Sequence, residues 1–265
     1  MGKNVLVSGA CGRMGQEVVR TIVQETNDNL IGAYDKKDVG ANIISKLGLD
    51  APEAKIYGDL QQAIDQLQPE VIIDFTSPEV VMENIELALK NKVHMIVGTT
   101  GITEADMEKI SDWSHQANKN ILIVPNFALG AVLLMKYSAQ IAKYMNQVEI
   151  IELHHDEKID APSGTAVKTA ELINQNRDNN QEKKVEEIEK LKGARGGKKD
   201  DLHIHSVRLP GLVAHQEVIF GGEGQTLKLR HDSYDRKSFM PGVRMALEKI
   251  EDLDGLVYGL EHLLD

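Results

Sequence analysis

The sequence predicts an α/β protein in two parts. Residues 1–126 read as an open, doubly wound parallel sheet, and the following half reads as α+β with a mostly antiparallel sheet. Three observations carry that prediction. Short runs rich in β-branched residues alternate with stretches of helical periodicity through the first half, the pattern of βαβ units. A glycine-rich turn joins the first run to the first helix. In the second half, apolar runs follow one another across Pro-Gly or Gly-rich turns, as antiparallel strands do.

Each element has its own signal. "NVLVSG" (4–9) is a strand, and Met14, Val18 and Ile22, with Val19 and Val23, then repeat at helical spacing. "NLIGAYD" (29–35), "VIIDFT" (71–76), "HMIVGTT" (94–100) and "ILIVPN" (121–126) are further strands. Between the later ones, "SPEVVMENIELALKNK" (77–92) and "TEADMEKISDWSHQAN" (103–118) open on a Ser or Thr cap signal and an acidic first turn. A helix is expected over 129–145, then a strand "QVEIIELHH" (147–155) and a helix "TAVKTAELINQN" (165–176). Residues 182–201, mixed in sign and ending in glycines, predict a solvated helix end and a mobile loop. "DLHIHSVRL" (201–209), "AHQEVIFGG" (214–222) and "QTLKLRHD" (225–232) are strands. From "SFMPGVRMALEKI" (238–250) onward the periodicity is helical again, and this segment is expected to return to the first domain.

Composition narrows the function classes. The 265 residues are 42% apolar, ample for buried cores. Forty-one acidic against thirty basic residues give a net charge of −11, so no global positive field gathers nucleic acid or anionic lipid. The apolar runs are far shorter than the ~18–20 residues of a membrane span. A strand already under way at Asn4 leaves no room for a cleavable leader, and the single cysteine, Cys11, fits a reducing compartment, so a cytoplasmic protein is expected.

The first chemical signal is Gly9-Ala10-Cys11-Gly12-Arg13-Met14-Gly15, between a strand and a helix. Glycines permit a tight turn and let a pyrophosphate approach the helix N-terminus, where unpaired N–H groups and the dipole favour anions. Asp35 ends the second strand 20 residues past Gly15, where a carboxylate accepts hydrogen bonds from ribose hydroxyls. Lys36 and Lys37 follow at once and offer a cation to a 2′-phosphate, so both NADH and NADPH stay open. Gly98-Thr99-Thr100-Gly101 and Pro125-Asn126-Phe127 fall at the carboxyl ends of two more strands, where a nicotinamide would lie; ordinary βα turns would look the same.

The second signal is "HHDEKIDAPSGTA" (154–166). Consecutive strand side chains point to opposite sides, so only one of His154 and His155 faces a given site. Lys158 lies in the following loop, and Ser163-Gly164-Thr165 opens a helix whose bare N–H groups and two hydroxyls suit a carboxylate or phosphate. The stretch joins proton donors to an anion cradle. His203 and His205 share a strand face, but no HExxH, CxxC or carboxylate set completes a zinc site, and no metal is expected. Ser163 lacks the GxSxG elbow of a nucleophile. His94 and His262 read as packing or surface residues.

"ELHHDEKIDAPSGTA", with "GACGRMG", "DFTSPE", "GTTG" and "PNF" before it and "HSVRLPGLVAHQEVIFGGEGQTLKLRHDS" and "DRKSFMPG" after it, closely resembles the 4-hydroxy-tetrahydrodipicolinate (dihydrodipicolinate) reductase family over nearly the whole chain. The resemblance implies a Rossmann-type nucleotide domain over 1–127, completed by 238–265, and a substrate-binding domain over 128–237 whose open sheet assembles a homotetramer. It implies NAD(P)H-dependent reduction of 4-hydroxy-tetrahydrodipicolinate to tetrahydrodipicolinate, with loss of water, in diaminopimelate and lysine synthesis. Carried onto matching positions, His154 and Lys158 handle protons, and His155, Ser163, Gly164 and Thr165 meet the dicarboxylate substrate. Gly9, Ala10, Cys11, Gly12, Arg13 and Met14 line the cofactor with Asp35 and Lys36, as do Gly98, Thr99 and Thr100 and then Val124, Pro125, Asn126 and Phe127. Many relatives carry Glu-Arg in place of Asp35-Lys36, and dual use of NADH and NADPH is expected here. The alternative from another class is an NAD(P)-sensing binding protein without turnover.

Overall fold

In the computed structural model, which describes residues 2–177 and 188–264, the chain divides by its own contacts into two units, Met1–Phe127 with Phe239–Asp265, and Ala128–Ser238. The first unit begins with β1 (Asn4–Ser8), α1 (Arg13–Glu25), β2 (Asn29–Tyr34), α2 (Ile43–Lys46), β3 (Ile56–Tyr57), α3 (Leu60–Leu67), β4 (Val71–Asp74), α4 (Val81–Lys90), β5 (His94–Val97), α5 (Glu104–Ala117) and β6 (Ile121–Ile123). Strands without polar alternation need cover on both faces, which parallel sheets receive from their crossover helices. Here Val5, Leu6, Val7, Ile72, Ile73 and Ile96 are wholly buried. Each such side chain contributes about 1.5–3 kcal/mol of burial. Capping is local: Thr103 and Asp106 close a reciprocal capping box on α5, and Asp59 caps α3 by accepting from the Gln62 N–H.

The second unit contains α6 (Leu129–Ile141), β7 (Gln147–His154), α7 (Gly164–Asn176), β8 (Gly197–Lys199), β9 (Leu202–Arg208), β10 (Ala214–Gly222) and β11 (Gln225–Ser233). Its sheet runs β11-β10-β7-β9-β8. Alternation on β7 sends Val148, Ile150 and Glu152 into one buried row, and the two helices cover that face with Leu134, Ala166, Ala170 and Ile173. The chain then returns to the first unit through α8 (Met240–Lys249) and β12 (Leu256–Tyr258), completing the order β12-β6-β5-β4-β1-β2-β3 with every pair parallel among the described residues.

Several expectations need correction. Ser77 does not cap α4 with its side chain; Val80 and Val81 donate to its carbonyl instead, its hydroxyl serves Glu79, and the helix begins only at Val81. The helix expected over 129–145 stops at Ile141, because the Tyr144 N–H reaches back to the Ile141 carbonyl and tightens the last turn. Strand β7 ends at His154, which leaves His155 exposed in the turn beyond it. The second sheet is mostly antiparallel, as expected, with the β7–β9 pair parallel among its described pairs. Of the loop expected over 182–201, residues 182–187 lie outside the described residues, and Gly197–Lys199 forms the edge strand β8. No helix among the described residues is long and apolar enough to cross a membrane.

Candidate active site

In the first unit the glycine turn is built by close backbone approach. Gly9 sits at φ +75°, where a Cβ would stand 2.3 Å from the Phe75 carbonyl oxygen, and a Cβ on Gly15 would stand 2.1 Å from the Gly9 oxygen. Gly12 caps α1 without a side chain, which leaves the helix N-terminus presenting backbone alone. Asp35 closes the turn from β2: one carboxylate oxygen accepts from the Cys11 N–H at 2.8 Å and the other from the Lys37 N–H at 2.9 Å. Burial, with the charges of Asp35 and Asp38, pushes the Cys11 thiol up to about 11, so it stays a neutral packing group. Lys36 turns its ammonium to the Gly58 carbonyl at 3.0 Å, 5.3 Å from the centre of the Tyr34 ring.

The carboxyl ends of β4 and β5 share one buried acid. Asp74 accepts from the Thr76 and Thr99 hydroxyls, each at 2.7 Å, and from Asn84 at 2.8 Å. Burial pushes its carboxyl up from the ordinary range while those donors oppose the shift. Gly98 lies against the Phe75 ring, and that ring packs on Phe127 at 5.4 Å. Thr99, Val124 and Phe127 are buried, whereas Thr100 and Pro125 are exposed and Asn126 half-buried. The fit to a dinucleotide is direct: a turn that two Cβ atoms would fill, a helix start and an acid at the end of β2.

In the second unit a cluster of polar groups forms at the end of β7. Nδ1 of His154 lies 2.5 Å from Oε2 of Glu152, whose side chain is wholly buried. Arg208 grips the same carboxylate through Nη2 at 2.7 Å and Nη1 at 2.9 Å. Burial acts to raise the Glu152 carboxyl, but hydrogen bonds from His154, Arg208 and Ser206 outweigh it and hold the group at about 2. The Ser163 N–H donates to Glu152 at 3.3 Å, and the Ser163 hydroxyl caps α7 by accepting from Ala166. Lys158 pairs with Asp160 at 2.6 Å. Gly164 opens α7 with no heavy atom within 4 Å of where a Cβ would stand. His154, Lys158, Ser163, Gly164 and Thr165 thus occupy one strand-to-helix corner.

Family profiles described as Dihydrodipicolinate reductase, N-terminus, and Dihydrodipicolinate reductase, C-terminus, match residues 3–127 and 130–264. The chain belongs to the dihydrodipicolinate reductase family. It is 48% identical over 261 residues to 4-hydroxy-tetrahydrodipicolinate reductases of Bacillus cereus (strain AH187) and Bacillus thuringiensis (strain Al Hakam), each comparison covering 98% of both chains. It is also 43% identical to a dipicolinate-bound dihydrodipicolinate reductase from Paenisporosarcina sp. TG-14, with a TM-score of 0.91 over 100% of both chains. As in that family, the first unit is a Rossmann-type nucleotide-binding domain of an NAD(P)H-dependent oxidoreductase.

Of the residues that build these sites, sequence reasoning missed Glu152, Arg208 and Asp74. A signal for Glu152 was present: in "QVEIIELHH" it takes the third place of the buried alternate row after Val148 and Ile150, where a charge demands a partner. Arg208 lies 56 residues away and carries no local mark. His203 and His205 stack on one face, but one ring meets the Arg195 carbonyl and the other Glu149, and no metal-binding group forms among the described residues.

Proposed function

We propose that the chain reduces 4-hydroxy-tetrahydrodipicolinate to tetrahydrodipicolinate, with loss of water, on the route to diaminopimelate and lysine. The observation that carries this reading is the corner at the end of β7. There a histidine held by a buried carboxylate, a lysine and an open helix start converge in a chain of this family. A bound NADH or NADPH, held by the Gly9–Met14 turn, Asp35 and the crevice at Gly98–Thr100 and Val124–Phe127, supplies the hydride. The chain's own residues do the rest. Gly164 and Thr165, at the start of α7, bind a substrate carboxylate, with His155 and Ser163 beside them. That anchoring orients the reacting bond. His154 and Lys158 deliver protons as negative charge develops. The relative from Paenisporosarcina was solved with dipicolinate, a planar dicarboxylate of the class such a cradle suits. A homotetramer in the cytoplasm, accepting both nucleotides, completes the proposal. The test is an assay fed by the preceding synthase that follows loss of NADH or NADPH absorbance. Substrate-dependent oxidation supports the reading; nucleotide binding without it makes the chain a nucleotide-sensing protein.

A further inference from the structure

We propose that Glu152 is the positioning residue of the proton-transfer site. It fixes His154 as the Nδ1–H tautomer, so that Nε2 is the nitrogen that exchanges the proton, and it ties that imidazole to the loop carrying Lys158 and to the start of α7. The inference rests on the function proposed above only where it concerns turnover.

The argument starts from the row in which Glu152 stands. Val148 and Ile150 precede it on the same buried face, and an apolar third member would pack there at no electrostatic cost. A buried ion pair is commonly no more stabilising than a hydrophobic replacement of similar volume. The charge therefore calls for a reason other than stability, and its contacts supply one. An ionised carboxylate only accepts hydrogen bonds. With Oε2 2.5 Å from Nδ1, the proton of a neutral His154 must sit on Nδ1, and Nε2 is left to take up or release a proton. The same carboxylate accepts from the Ser163 N–H at 3.3 Å, directly before the first residue of α7. Arg208, fixed on Glu152 by two bonds, also gives Nη2 to the Asp160 carbonyl at 2.7 Å, and Asp160 in turn receives Lys158 at 2.6 Å. One buried acid thus sets the histidine, the lysine loop and the helix start relative to each other.

The tautomer is read directly by ¹⁵N NMR of histidine side chains in the intact protein, with the His154 signals identified by their loss in His154→Gln. No substrate enters this measurement, so its outcome is independent of the function proposed. Wild-type protein, at a pH where the ring is neutral, is expected to show an Nδ1–H imidazole; an Nε2–H ring would overturn the proposal without need of any further variant. In Glu152→Gln the amide can donate as well as accept, so a mixture of tautomers is expected, and an unchanged pure Nδ1–H form would count against the role of the charge. Kinetics provide the second reading. Glu152→Gln should lower kcat ~10- to 100-fold, part of the 10²–10⁴ that proton transfer supplies, with the substrate KM changed far less and NADH affinity unaltered. A variant that folds, binds NADH and keeps wild-type kcat would defeat the idea, whereas failure of the wild type to turn over defeats the function instead. Should Glu152→Gln not fold, Arg208→Lys retains the charge but loses the fork: it should keep the Nδ1–H tautomer and still lose turnover. Full turnover in that variant would remove Arg208 from the arrangement and overturn this part of the proposal.

Discussion

Arg208 lays both terminal nitrogens on the Glu152 carboxylate across the parallel β7–β9 pair, from the position that registers with His154. The bond has a consequence for acid stability. The Glu152 carboxyl is depressed in the folded chain, from an ordinary 4.5 to about 2, so its stabilising contribution is whole above 4.5 and is lost as pH falls toward 2. Urea unfolding followed between those limits should show stability declining with acid in the wild type. In Glu152→Gln that part of the slope should be missing; identical slopes would remove Glu152 as a source of the acid sensitivity.

Chemistry and binding should separate within the 154–165 stretch. His154→Gln and Lys158→Met should each lower kcat ~100- to 10,000-fold, because a proton donor matures in the transition state. Thr165→Val should chiefly raise the substrate KM, by the equivalent of about 1.5–3 kcal/mol for a hydrogen bond to a charged group. Near-normal kcat in both of the first two variants, or an unchanged KM in the third, would return the stretch to a structural corner.

The glycine turn admits a steric test. A Cβ on Gly15 meets three backbone atoms, the Gly9 oxygen at 2.1 Å and the Ala10 Cα and Gly9 carbonyl carbon each at 2.8 Å, whereas one on Gly12 meets only the Gly9 oxygen at 3.2 Å. Gly15→Ala should lower Tm by several degrees, the reach of an overpacking cost of ~1–3 kcal/mol, and weaken NADH binding measured by fluorescence. Gly12→Ala should be the milder of the two on both measures. The reverse order would mean that the turn relaxes at Gly15.

The proposed dual use of NADH and NADPH puts the 2′-phosphate contact on a lysine that already has partners. Lys36 must leave the Gly58 carbonyl and the Tyr34 ring to reach a 2′-phosphate. Lys36→Ala should raise the NADPH KM by up to roughly fivefold, the ~1 kcal/mol of an exposed ion pair, and leave the NADH KM nearly as it was. Equal changes for both nucleotides would remove Lys36 from the discrimination.

The sequence by itself determined the features whose causes lie within a few residues. Val5 to Val7 and Val71 to Ile73 announce buried parallel strands because neither face of those runs is polar. The Gly9–Gly15 stretch announces a tight strand-to-helix turn because Gly9 and Gly15 make backbone contacts that a Cβ would block. "HHDEKIDAPSGTA" announces a strand-to-helix corner because its cap, Ser163, is contained in it. Only the tertiary structure decided who meets whom across the sheets. β12 joins beside β6 from a segment more than 130 residues later, and β9 lies parallel to β7. Thr99 reaches Asp74 from just past the end of the next strand, and Arg208 reaches Glu152 across 56 residues. Periodicity reports that a position is buried, and at Glu152 it reported a charge that had to be answered. Which cation answers it depends on strand register, and register is set by the packing of whole elements, to which no short stretch of chain has access.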